Sequence, residues 1–242
     1  MQGVGKVVIV LLLGYSTFSL ATTLDIGGGT RIFVPLKSVK ALRDENVVKQ
    51  QYDYSCGAGA LATLLTYGLN DKVTEREILE QLMETLSKDQ AALRKKTGFS
   101  LLDMQHIAEQ RGYKAQGFRL RPEHLPKLKR PVVVFICPRG YEHFSVFKGV
   151  HADRIYLADP SLGNVRMPAY KFLDMWLDDT GQGVVFVVER KDSQWPEGYP
   201  LQLKIHGLPQ PEILTARQLL EVGNPYVQFP QLQVIQSDVI QK

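Results

Sequence analysis

Cysteine is scarce in this chain of 242 residues: there are two, Cys56 and Cys137. So few exclude a disulfide-stapled scaffold and leave room for one bridge at most. Dense Lys/Arg runs interleaved with aromatics are also missing, and the formal net charge is only +4. The nearest candidate, Lys127-Leu128-Lys129-Arg130, is short and abuts a hydrophobic strand, so it reads as a solvated connector. A nucleic-acid partner is thereby excluded as an expectation. No internal repeat is visible, which excludes a solenoid. Beyond the N-terminus no apolar run approaches the ~20 residues of a membrane-spanning helix. Hydrophobic residues make up 44% of the chain, enough to build a core without staples.

The N-terminus carries a targeting pattern. Lys6 and the terminal amine precede the apolar run Val7-Val8-Ile9-Val10-Leu11-Leu12-Leu13, which fades through Gly14 and Ser16. Ser19-Leu20-Ala21 then places small residues where a signal peptidase reads them. The pattern predicts a signal peptide over residues 1–21, export, and a periplasmic location in a Gram-negative source. Membrane association is expected only if that segment is retained. Residues 22–35 contain Gly27-Gly28-Gly29 and are predicted to be a flexible lead-in.

Helical periodicity is visible from Cys56 to about Tyr67, with Gly68 as a stop. It recurs from Thr74 to Leu82, where Thr74 and Glu77 are spaced as a capping box, and from Ser100 to Gln110. The period then changes. Lys114–Leu120, Pro131–Cys137, His143–Val150, Arg154–Ala158 and Gly183–Glu189 read as strands, with a short helix over Met167–Trp176. Val132-Val133-Val134-Phe135-Ile136 suits a strand buried on both faces. Helices followed by strands predict an α+β domain over residues 36–191. Prolines 196, 200, 209, 211, 225 and 230 then mark a C-terminal extension over 192–242.

The densest signal is Gln50-Gln51-Tyr52-Asp53-Tyr54-Ser55-Cys56-Gly57-Ala58-Gly59-Ala60. It is a polar loop running into a small-residue helix that begins at Cys56. A thiol at a helix N-terminus meets the positive end of the helix dipole, which favours the thiolate. A nucleophilic Cys needs a base. His106 lies inside a helix, His124 in a connector, His151 in a turn and His206 in the extension. His143 opens an apolar strand after Pro138-Arg139-Gly140, where it can hold its ring opposite a helix start. Asp159 ends the next strand before Pro160, and the hairpin brings it back toward His143 as an orienting acceptor. Gln50 and Gln51 are the candidate side-chain donors to an oxyanion. Cys137 closes a core strand six residues before His143 and is expected to be a buried free thiol. A Cys56–Cys137 disulfide, which would silence the nucleophile, is the other arrangement.

Gln50-x-x-Asp53-x-Ser55-Cys56-Gly57, His143-Phe144 and Asp159-Pro160 together resemble the bacteriocin-processing, double-glycine leader peptidases of the papain clan. The resemblance covers roughly residues 45–190. It implies a papain-like fold, with N-terminal helices packed on an antiparallel sheet, and no metal or other cofactor. It also implies Cys56 as nucleophile, His143 as base, Asp159 as orienting group and Gln50, six residues before the Cys, as oxyanion donor. Typical members are fused to an exporter. Lacking such a domain and carrying a signal peptide, this chain is more similar to the stand-alone exported branch that accompanies functional-amyloid secretion. The implied partner is a peptide or protein substrate, an exported amyloid or leader-bearing protein. Two other readings compete: a non-catalytic peptide-binding module, and a cell-wall amidase or acyl transferase. The first usually loses its Cys. The second usually shows Asp-Cys-Ser-Gly rather than Ser-Cys-Gly.

Overall fold

The computed structural model describes residues 21–25, 31–35 and 37–203. The predicted signal peptide up to Leu20, the Gly27-Gly28-Gly29 segment and the extension from residue 204 lie outside the described residues. The lead-in expected to be flexible instead pairs with itself. β1 (Ala21–Asp25) and β2 (Arg31–Pro35) form an antiparallel ladder in which Ala21 faces Pro35 and Asp25 faces Arg31. Thr22, Thr23, Ile32, Phe33 and Val34 are strand-forming residues, and that preference outweighs the nearby glycines.

The helices come next: α1 (Val39–Asp44), α2 (Cys56–Gly68), α3 (Glu75–Thr85), α4 (Lys88–Thr97) and α5 (Leu101–Gln110). The predicted capping box at Thr74 forms, with Glu77 returning to the Thr74 backbone. Ser100 caps α5 through Asp103 in the same way. A six-stranded sheet follows, built from β3 (Tyr113–Leu120), β4 (Val132–Ile136), β5 (His143–His151), β6 (Arg154–Asp159), β7 (Gly163–Pro168) and β8 (Gly183–Arg190). Its order is β3-β8-β4-β5-β6-β7, and every pairing is antiparallel. α6 (Ala169–Trp176) connects β7 to β8. The α+β, papain-like arrangement expected from the sequence is the one that forms.

Two hydrophobic clusters flank the sheet. Val133, Phe144, Val146, Ala158, Phe186 and Val188 pack with Leu61, Leu64 and Leu65 of α2 and with Ile78, Met104 and Ile107. Val132, Val134, Ile136, Phe147, Ile155, Leu157 and Val185 pack with Phe172 and Trp176 of α6. β4 therefore contributes alternate residues to both clusters, which is why its apolar run is continuous. The first residues of the extension also join the domain. Leu201 is fully buried, its N–H donates to the Tyr67 carbonyl, and Trp195 packs against Gly68.

The small residues at the start of α2 are there for close approach. A Cβ at Gly59 would stand 2.8 Å from the Pro160 ring and 3.3 Å from the Val48 carbonyl. Gly59→Ala would gain ~1 kcal/mol of helix propensity. Overpacking against a rigid ring and backbone costs ~1–3 kcal/mol. A net loss of stability in denaturant unfolding is the expected outcome. An unchanged or higher midpoint would show that α2 does not need this contact with the Asp159-Pro160 turn.

Candidate active site

Three of the four residues singled out by the sequence are brought together. Cys56 is the first residue of α2 and is 6% exposed, at the floor of a cleft of about 770 Å³. His143 is the first residue of β5, and Asp159 the last of β6. Both are buried, and His143 Nε2 lies 2.8 Å from Asp159 Oδ2. The β5–β6 hairpin turns at Ala152-Asp153, with His151 opposite Arg154 and Val146 opposite Ala158, and so returns Asp159 to His143. The Cys56 thiol is among the groups whose charge acts on the ring. Since Nε2 faces Asp159, Nδ1 is the nitrogen left for sulfur.

The two oxygens of Asp159 do different work. Oδ2 meets the imidazole, while Oδ1 accepts from the N–H groups of Ser161 and Leu162, each at 2.9 Å. Asp159 thus builds its own turn and orients the base at once. Burial alone would push this carboxyl up. The hydrogen bond and charge of His143, with the Leu162 N–H and Ser145 hydroxyl, hold it below its usual range. For His143 the signs invert. Burial pulls it down, but the bonds to Asp159 and Cys56 and their charges raise it to about 9. The imidazolium is therefore the favoured form at neutral pH. The arrangement can deliver a nucleophilic sulfur and return a proton to a leaving group.

Gln50 sits beside this group. Its backbone N–H donates to the Pro160 carbonyl, its amide donates to the Tyr52 carbonyl, and its Oε1 accepts from the Ser161 hydroxyl. Its side chain is tied to the turn that follows Asp159. Gln51, in contrast, is among the residues that line the cleft. Cys137 corrects an expectation. It is free but exposed, because it falls just past β4, where the chain leaves the sheet into the turn Pro138–Gly140. Both cysteines are free, so the disulfide arrangement is not adopted. His106 and His151 are exposed, and His124 lies in the 3-10 turn Pro122–Lys127.

Other residues at the site were given no role by the sequence. Tyr141 spans the cleft wall, donating its hydroxyl to the Asp53 carbonyl at 2.8 Å and setting its ring 6.5 Å from that of His143. Tyr52 and Tyr54 stack at 5.4 Å and also line the cleft. Lys95 and Lys96, from the last turn of α4, place positive charge on the rim. Only the position of Tyr141, two residues before His143 along one strand approach, could have hinted at a role.

Residues 44–193 match the model of the Peptidase C39 family. The chain is 36% identical over 180 residues to the probable functional amyloid protease FapD of Pseudomonas fluorescens, covering 74% of this chain and 76% of that protein. It is 31% identical over 236 residues to the probable functional amyloid protease FapD of Pseudomonas aeruginosa, covering 96% and 97%. Among solved structures it is similar to a double glycine motif protease from an AMS/PCAT transporter in complex with the leader peptide. That match has 26% identity and a TM-score of 0.47 and covers 59% of this chain and 89% of the other. With a family match across most of its length, and a Cys at a helix start beside a buried His–Asp pair, this chain belongs to the Peptidase C39 family of cysteine peptidases.

Proposed function

We propose that this protein is an exported, periplasmic cysteine endopeptidase that cleaves a secreted protein or leader peptide in support of a functional-amyloid secretion system. Cys56 attacks the scissile carbonyl and forms a thioester. His143 holds the thiol proton and later gives it to the leaving amine. Asp159 fixes the ring, and Gln50, with the Cys56 N–H, receives the oxyanion. The observation that carries the chemistry is the buried His143–Asp159 pair at 2.8 Å beside the first residue of α2. Export rests on the signal pattern over residues 1–21. The amyloid setting rests on the names of the two Pseudomonas relatives. In mass spectrometry of exported proteins, the wild type is expected to generate a shared new N-terminus that a Cys56→Ala strain lacks. Identical N-termini in both strains would overturn the proposal.

A further inference from the structure

The carboxylate of Glu75 has no part in the chemistry described so far, yet it is buried directly behind the nucleophile loop. Glu75 is the first residue of α3 and only 3% exposed. Its Oε1 accepts from the Gln51 backbone N–H at 2.8 Å and from the Ser55 hydroxyl. Its Oε2 is buried with no hydrogen-bond partner among the described residues. Burying a carboxylate with one oxygen unsatisfied is costly.

The consequence lies at Ser55. This residue occupies the N-cap of α2, where a serine ordinarily turns its hydroxyl onto the free N–H groups of the first turn. Here it makes no such bond. Its hydroxyl instead faces Glu75 and the Tyr52 carbonyl, and accepts from the Tyr52 N–H. The first-turn N–H groups of the catalytic helix are thereby left unclaimed by a capping side chain. Gln51 is fixed at the same time, which sets the path of the chain between Gln50 and Cys56.

We infer that Glu75 is a positioning residue for the oxyanion site. It diverts Ser55 from capping α2 and pins Gln51, so that backbone and side-chain donors stand ready for the tetrahedral oxygen. The inference rests on Cys56 acting as the nucleophile.

Two thiol reagents separate this role from a merely structural one. Iodoacetamide alkylates a thiolate by displacement at carbon and develops no oxyanion. p-Nitrophenyl acetate acylates it through a tetrahedral oxyanion. Cys56 sulfur bonds to the acetyl carbon, the ester C–O bond breaks, p-nitrophenolate leaves, and the thiol proton stays on His143. The Cys56 component of each reaction is the wild-type signal minus that of Cys56→Ala.

In Glu75→Ala the p-nitrophenolate burst rate is expected to fall about 10- to 100-fold while alkylation of Cys56 and its pH profile stay as in the wild type. Glu75→Gln, which keeps a carbonyl oxygen for Gln51 and Ser55, is expected to restore most of the burst. An unchanged burst in Glu75→Ala, or a loss of burst and alkylation together, would overturn the inference. Should Glu75→Ala not fold, Glu75→Asp, whose shorter side chain withdraws the carboxylate from Ser55 and Gln51, is read by the same pair of rates and the same outcomes. If Cys56→Ala itself kept the burst, the fault would lie with the nucleophile rather than with Glu75.

Discussion

Cys56→Ala is expected to lower peptide hydrolysis by at least ~10³-fold, with the fold intact. Members of a catalytic unit are not additive, and loss of the nucleophile removes nearly all that the unit provides. The remaining donors can polarise a carbonyl but can form no thioester. Stability should change little, because the substitution removes a single heavy atom at the start of α2. Cys56→Ser is expected to be nearly as poor, since a serine hydroxyl is far less acidic than a thiol and gains little from an imidazolium that is already formed. Cys137→Ser should leave the rate unchanged, because that thiol is exposed and is not among the residues lining the cleft. A Cys56→Ala protein that still cleaves would place the chemistry elsewhere.

Asp159→Asn is expected to be the second large effect, of order 10²–10⁴-fold on the rate. The two backbone N–H groups of Ser161 and Leu162 will claim the one amide oxygen, since both now donate to Oδ1. The amide nitrogen then faces His143 Nε2 and donates to it. That places the ring proton on Nδ1, the nitrogen left for Cys56, and the base can no longer accept from the thiol. The pH dependence moves as well. His143 is raised to about 9 mainly by the Asp159 hydrogen bond and by charge, against burial, which lowers it. Active ion-paired enzyme is therefore lost as pH rises through the His143 value. Without the carboxylate that value falls, so the alkaline limb of kcat/KM should move to lower pH. An alkaline limb that stays near 9 in Asp159→Asn would show that Asp159 does not set the charge of the base.

Much of this site was legible because its signals are local. A Cys after a polar loop and before Gly-Ala-Gly-Ala announces a helix start. A strand-initial His and a strand-terminal Asp-Pro are separated by one hairpin. What stayed hidden has no local signal. α4 buries none of its residues, so it shows no apolar stripe, and only its Ser87–Gln90 capping box marks it. Yet it supplies Lys95 and Lys96 to the cleft rim. β7 was missed because Gly163-Asn164-Val165-Arg166 alternates weakly, and its Met167-Pro168 end was assigned to the following helix. Glu75 reads in the sequence as an acidic residue favouring a helix start, and only tertiary packing turns its carboxylate to Ser55 and Gln51. Cys137 reads in the sequence as the buried end of a core strand, but β4 ends one residue earlier, at Ile136.

That exposure makes one measurement especially direct. Cys137 is open to solvent and Cys56 is 6% exposed, so access alone makes Cys137 the faster thiol. With limiting iodoacetamide near neutral pH and peptide mapping by mass spectrometry, Cys56 is expected to be alkylated first. In His143→Ala its rate should fall below that of Cys137, as befits a thiolate held by the imidazolium. Faster labelling of Cys137, with Cys56 slow and indifferent to His143→Ala, would contradict the assignment of Cys56 as an activated nucleophile.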